Sequence, residues 1–145
     1  MVDADTGQSE IGSPGTVGVG WARADAARLS DLPCAAAFFV GALSPAAAAL
    51  EHVAATAAAA RWARGRGAAR ILVDTPGYVA GPGARPWLCA LAQTLAPDRI
   101  VAVARDGECD ALLAAAVAVS GAVGETLLPE EGVTRKPPAM RAVRR

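Results

Sequence analysis

Three short apolar runs, Cys34 to Val40, Ala69 to Asp74 and Ile100 to Ala104, are separated by helix-length stretches, and this alternation constrains the fold more than any other feature. The first run ends in Phe38-Phe39-Val40 and closes at Gly41; the second stops at Asp74 and the turn Thr75-Pro76-Gly77. Both read as buried strands. Between them, Ser44-Pro45 predicts the start of a long alanine-dominated helix that Gly65 and Gly67 end, because serine caps and proline is tolerated in the first turn. Leu88, Leu91 and Leu95 form the stripe of a second helix stopped at Pro97. Asp110 is positioned to cap a third, whose Leu113, Ala116 and Val117 share a face and which Ser120-Gly121 stops, and Thr126 to Leu128 is a weak last strand. The segment from Asp3 to Gly20, dense in glycine, reads as loop. The pattern predicts an α/β fold: a parallel sheet with helices on both faces. Ligands of such sheets sit at the carboxyl ends of the strands, here Asp3 to Gln8, Gly41 to Ser44, Asp74 to Tyr78 and Arg105.

Composition narrows the classes. Of the 145 residues 37 are alanine and only 4% are aromatic, so the core must be thin and closely spaced. The apolar stretches are diluted by alanine and interrupted by His52 or Arg61, which argues against a membrane span, and with no signal segment at the start a cytoplasmic location is expected. Cys34, Cys89 and Cys109 lack metal-binding spacing, and the single histidine, His52, lies mid-helix, which speaks against zinc and for a structural role. Lysine and arginine balance aspartate and glutamate at 14 each, but unevenly. Residues 1–131 carry 9 basic and 14 acidic side chains, whereas 132–145 hold five cations and no acid. The expected organisation is a core over 1–131 and a basic tail over 132–145.

Asp5, with Asp3 nearby, and Asp74 each stand at a strand end before a glycine turn. Such carboxylates suit magnesium and phosphoryl transfer, since a hard cation takes oxygen ligands. Aspartate before a turn equally serves to accept backbone hydrogen bonds.

The segments Asp3-Ala4-Asp5-Thr6-Gly7-Gln8 with Ser13-Pro14-Gly15-Thr16, Phe39-Val40-Gly41-Ala42-Leu43-Ser44-Pro45, Val73-Asp74-Thr75-Pro76-Gly77-Tyr78 with Gly81 and Gly83, and Pro97-Asp98-Arg99-Ile100 together resemble the P-loop polynucleotide 5′-hydroxyl kinases of transfer-RNA splicing, messenger-RNA cleavage and ribosomal-RNA processing. The resemblance runs in order over nearly the whole chain. It implies a P-loop NTPase-like fold, ATP and Mg2+ as cofactors, and a polynucleotide with a 5′-hydroxyl end as substrate, RNA before DNA. It implies that Asp5 activates the attacking hydroxyl and, with Asp74, holds the magnesium shell. Gln8 then lies beside that hydroxyl. Ser44 matches a hydroxyl-bearing clasp on the RNA end, although Leu43 stands where threonine is usual; a plain helix cap is the competing role. Tyr78 matches a ring that stacks on a base or ribose, against ordinary packing. Arg135 falls in a tail that resembles the start of an arginine-bearing lid.

One departure is decisive for activity. Such kinases need G-x-x-x-x-G-K-[ST] to cradle the phosphates. The sole lysine, Lys136, stands between Arg135 and Pro137, and no glycine loop precedes it. The expectation is an N-terminally truncated kinase core, inactive alone. Losing a few hundred Å2 of strand cover at roughly 25 cal/mol per Å2 removes several kcal/mol, so low stability or self-association through an exposed sheet edge is expected. Two other readings stay open: a GTPase-like switch, because Asp74 to Gly77 fits D-x-x-G although N-K-x-D is absent, and a non-catalytic module binding RNA or a partner.

Overall fold

A computed structural model describes residues 1–130, which fall into two compact units divided after Tyr78. The first unit, Met1–Tyr78, is built on a four-stranded sheet of β1 (Val2–Asp3), β2 (Thr16–Val19), β3 (Ala36–Phe39) and β4 (Val73–Asp74) in the order β3-β2-β1-β4. β1 and β4 run parallel, with Asp3 opposite Asp74; β2 pairs antiparallel with both β1 and β3. The α/β class therefore holds, but this sheet is mixed, not wholly parallel.

The mixed order follows from a strand that glycine content concealed. Thr16-Val17-Gly18-Val19 lies inside the segment expected to be loop, yet it alternates into the core with Val17 and Val19 buried. Gly18 is there because the preceding loop folds back on the strand: a Cβ on Gly18 would fall inside the Ile11 carbonyl. The strand read as Ala69 to Asp74 shrinks to Val73–Asp74, and Cys34 to Val40 to Ala36–Phe39. Neither is fully buried, because helix cover reaches only alternate residues; Phe39 is 83% exposed.

The long helix α1 (Ala49–Gly65) begins five residues after the expected serine and ends as expected. Ala48, not Ser44, is its N-cap. Alanine explains how it packs: Ala55, Ala59 and Ala63 lie against Val2, Ala4, Val17, Val19 and Val40, so the helix sits close to the sheet with small side chains interleaved.

The second unit starts at Val79 and contains α2 (Ala84–Leu95), β5 (Arg99–Val103), α3 (Asp110–Ser120) and β6 (Val123–Leu127). β5 and β6 form a parallel pair. In α2 the buried side chains are Ala84, Trp87, Leu91 and Ala92; Leu88 and Leu95 are half-buried flanks. α2 ends at Ala96 in the left-handed conformation, just before Pro97. Cys109, not Asp110, occupies the cap position of α3, and Gly121 closes it with positive φ. α3 packs on β5 and β6 with Leu113 and Val117 over Gly124. Inside this unit the opposite strand face is open: Val101, Val103, Val123 and Leu127 are exposed. These strands were expected to be buried on both faces; within the unit, helix covers one.

The Gly18 contact gives a direct test. Gly18→Ala is expected to destabilise the first unit by at least the ~1–3 kcal/mol typical of overpacking, since the obstacle is backbone and not a side chain that can rotate away. A urea midpoint equal to that of the unsubstituted chain would contradict the loop-on-strand packing.

Candidate functional site

The carboxyl ends of β1, β3 and β4 share one end of the first unit's sheet. What organises that end is Asp3. It is 1% exposed and its carboxylate accepts from four donors: the Asp5 amide at 3.1 Å, the Glu10 amide at 2.6 Å, the Ile11 amide at 2.8 Å and the Ser9 hydroxyl at 3.4 Å. A buried carboxylate is tolerated when its oxygens are so satisfied. Asp3 therefore shapes the loop and is not a free ligand.

Asp5 follows at the mouth of that loop, half-buried. Its Oδ1 accepts from the Gly7 and Gln8 amides, both at 3.1 Å. The turn-forming role considered for this residue is thus real, and both bonds fall on one oxygen, which leaves Oδ2 outside the turn. Gln8 is half-buried in the same turn, its amide bonded to Asp5 on both side chain and carbonyl. Gly7 lies so close to the 41–44 segment that a Cβ there would stand 2.6 Å from the Leu43 carbonyl oxygen. That approach brings Leu43-Ser44 beside the Asp5 turn. Ser44 Oγ accepts from the Ala46 amide at 3.2 Å, a local serine turn ahead of α1.

Asp74 joins from β4. The Ala4 amide donates to its carbonyl at 2.8 Å, so its backbone is one ladder step from Asp5. Desolvation, then the negative charges of Asp3, Asp5 and Glu10, push the Asp74 carboxyl above its ordinary range; a bond from Thr75 opposes them. Asp74 keeps substantial contact with solvent, so mutual repulsion is the firmer of the two causes. Tyr78 is half-buried at the end of this unit, its amide bonded to the Pro76 carbonyl at 2.7 Å. Arg135 lies outside the described residues.

Two participants were missed from sequence and a third was read only in part. Glu10 adds to the negative field, Thr6 carries a fully buried hydroxyl with no hydrogen-bond partner, and His52 is fully buried beneath the loop. His52 was correctly read as structural, but not as the pin it is: its Nε2–H donates to the Ala4 carbonyl at 2.8 Å, fastening α1 to the end of β1. Burial lowers its pKa; the Ala4 bond and the Asp5 charge pull it partly back.

Among the described residues no three histidine, cysteine, aspartate or glutamate side chains converge to hold a metal by themselves. The donor set of Asp5 and Asp74 is hard oxygen beside further carboxylates, which fits magnesium held by one or two carboxylates with water and phosphate oxygens completing its shell. ATP finds no such fit, because no phosphate-cradling loop occurs in the 145 residues. Cys34 is exposed and Cys89 and Cys109 are half-buried, all three free. Among the described residues no helix is long and apolar enough to cross a membrane.

Two titrations test this electrostatic picture. The folded-state pKa of His52 lies below the ordinary 6.5, so its contribution to stability is complete above that pH and is lost as pH falls toward the folded value. His52→Phe is expected to flatten this slope and to cost about 1 kcal/mol at neutral pH for the lost hydrogen bond, read from urea midpoints across the acid range. Asp74 behaves oppositely: its folded pKa lies above the ordinary 3.8, so ionisation opposes folding at neutral pH and not below 3.8. Asp74→Asn should stabilise the chain near pH 7, with the gain vanishing toward the ordinary carboxyl pKa; a neutral or destabilising effect at pH 7 would exclude the crowding of charge.

The two comparisons complete the picture. Comparison with curated proteins finds no match. A family model described as mRNA cleavage and polyadenylation factor CLP1 P-loop matches residues 1–145, the whole chain. With the α/β architecture and the ordered motifs at the strand ends, this places the chain in the CLP1 P-loop family, among the polynucleotide 5′-hydroxyl kinases and their P-loop NTPase-like fold.

Proposed function

We propose that these 145 residues carry the acceptor side of an ATP-dependent polynucleotide 5′-hydroxyl kinase acting on RNA, and that they do not transfer phosphate by themselves. The observation that carries this reading is the convergence of the Asp5 turn, the Leu43-Ser44 segment and Asp74 at one sheet end.

In this reading Asp5 is the base. Two amides on Oδ1 fix its orientation, so Oδ2 is the oxygen that accepts the proton of the 5′-hydroxyl as that oxygen attacks. Gln8, anchored in the same turn, positions the hydroxyl through its side-chain amide. Ser44 offers a hydroxyl to the first phosphate of the strand, from a turn fixed by its bond to the Ala46 amide. Tyr78 supplies a ring for the terminal base or ribose. Asp5 and Asp74 would hold magnesium, which when bound neutralises charge on the phosphates. Arg135 is the proposed lid cation.

Inactivity alone follows from charge. A triphosphate brought to this end would meet Asp3, Asp5, Glu10 and Asp74 without the lysine and amide cradle that offset such repulsion elsewhere. The carboxylates can prepare an acceptor but cannot hold a donor.

The test is transfer of labelled γ-phosphate from ATP to a 5′-hydroxyl oligoribonucleotide. The 145-residue chain is expected to give none, and labelling by it would overturn the claim of inactivity. With a polypeptide supplying G-x-x-x-x-G-K-[ST], transfer is expected, and Asp5→Asn should lower it by roughly 10^2–10^4. Independently of turnover, millimolar Mg2+ should raise the thermal midpoint of the chain and leave the Asp5→Asn, Asp74→Asn double variant unmoved.

A further inference from the structure

The first unit has a second end, where β1 begins, and its chemistry is the reverse of the first. Trp21 follows β2 there and Trp62 lies in the last turns of α1; their ring centroids are 6.3 Å apart with planes tilted by 36°. The Arg66 guanidinium sits 3.9 Å from the Trp62 centroid. Trp21 is 42% exposed. Beside it opens a cavity of about 240 Å3, lined by Trp21, Arg70, Ile71 and Ala63 among others. Arg61, Arg64, Arg66 and Arg70 are all exposed, and among the described residues none has a carboxylate within ion-pair distance.

We propose that Trp21, Trp62, Arg66 and Arg70 form a docking surface for single-stranded RNA, separate from the Asp5 end and independent of the kinase reading. Charge complementarity is the first argument. The carboxylates of Asp3, Asp5, Glu10 and Asp74 gather at the far end of β1, so the arginines here are left to face an outside anion. The attraction of a helix carboxyl end for cations accounts for Arg64 in the last turn; it does not account for Arg70, beyond the helix. The second argument is the aromatic component. An exposed indole already in a tilted stack, with a guanidinium on its neighbour's ring, offers a planar ligand the stacking and cation–π contacts that sequence-tolerant single-strand binding uses. The third is size: the cavity is smaller than those that take drug-sized ligands, and suits one nucleobase while the strand's phosphates pass the arginines. An acidic peptide would satisfy the arginines but supplies no ring for Trp21.

The experiment uses the full chain and a fluorescent, 5′-phosphorylated oligouridine in the absence of ATP and Mg2+, so that an acceptor hydroxyl is not in play. Binding is followed by anisotropy across a salt series. Trp21→Ala should weaken binding about 10-fold, with Trp21→Phe retaining most of it and circular dichroism confirming the fold. Arg66→Glu with Arg70→Glu should weaken binding and reduce the salt slope by about 1.4, at ~0.7 per phosphate contact for a single strand. Unchanged affinity in Trp21→Ala and in the arginine pair overturns the proposal. So does a polyglutamate peptide that displaces the RNA and binds with the same dependence on Arg66 and Arg70 but none on Trp21, which would assign the surface to an acidic protein partner.

Discussion

The structure of the first unit depends on one buried carboxylate. Asp3 ends β1 and faces inward, where a charge is costly unless every oxygen is engaged. Four donors from residues 5 to 11 engage it. That requirement wraps the loop around a single point. It presses Ile11 into the core and drives the Ile11 carbonyl onto Gly18, so β2 can carry no side chain there. The same wrapping turns the chain at Asp5 and brings Gly7 against the Leu43 carbonyl. The acidic end is thus a consequence of how a charge is buried two residues earlier.

Two further fastenings make that end rigid. His52 reaches from α1 to the Ala4 carbonyl, and the Ala4 amide bonds to the Asp74 carbonyl. One residue, Ala4, is held by helix and sheet together, and it stands between the two aspartates that matter, Asp3 and Asp5. A shift of α1 must therefore be felt at Asp5 through a buried hydrogen bond. Alanine along α1 permits the close approach that this bond needs, since larger side chains at Ala55, Ala59 or Ala63 would lift the helix off the strands.

How legible this was depended on the range of the cause. Helix existence and helix carboxyl ends were readable, because capping glycines and alanine runs act within a few residues; α1, α2 and α3 end where their patterns placed them, although α1 begins later than expected. The aspartates at strand ends were readable for the same reason. β2 was not, since Gly18 looks like loop until Ile11 is known to occupy the space of its side chain. Ser44 looked like a helix cap, and only tertiary structure moves the helix start to Ala49. Nor could local pattern show that β2 pairs antiparallel, because pairing direction is set by where Asp3 sends the intervening loop. Asp5 forms its turn through Oδ1 alone, so the turn does not occupy the oxygen that the proposed base requires.

The opposed ends of the first unit raise a question of electrostatic design. Burial and neighbouring carboxylates push the Asp74 carboxyl upward, so gathering acids at one end opposes folding, and arginines without a carboxylate partner among the described residues gain little internal stabilisation at the other. Interleaving the two signs over the same surface would be the more stable arrangement. On the two proposals above, external charge completes each end: a divalent cation at the acidic one and an anionic chain at the basic one. An elongated polyanion with a bound divalent cation near its tip has the matching sequence of charges. On that reading, ligand at each end restores the stability forgone there.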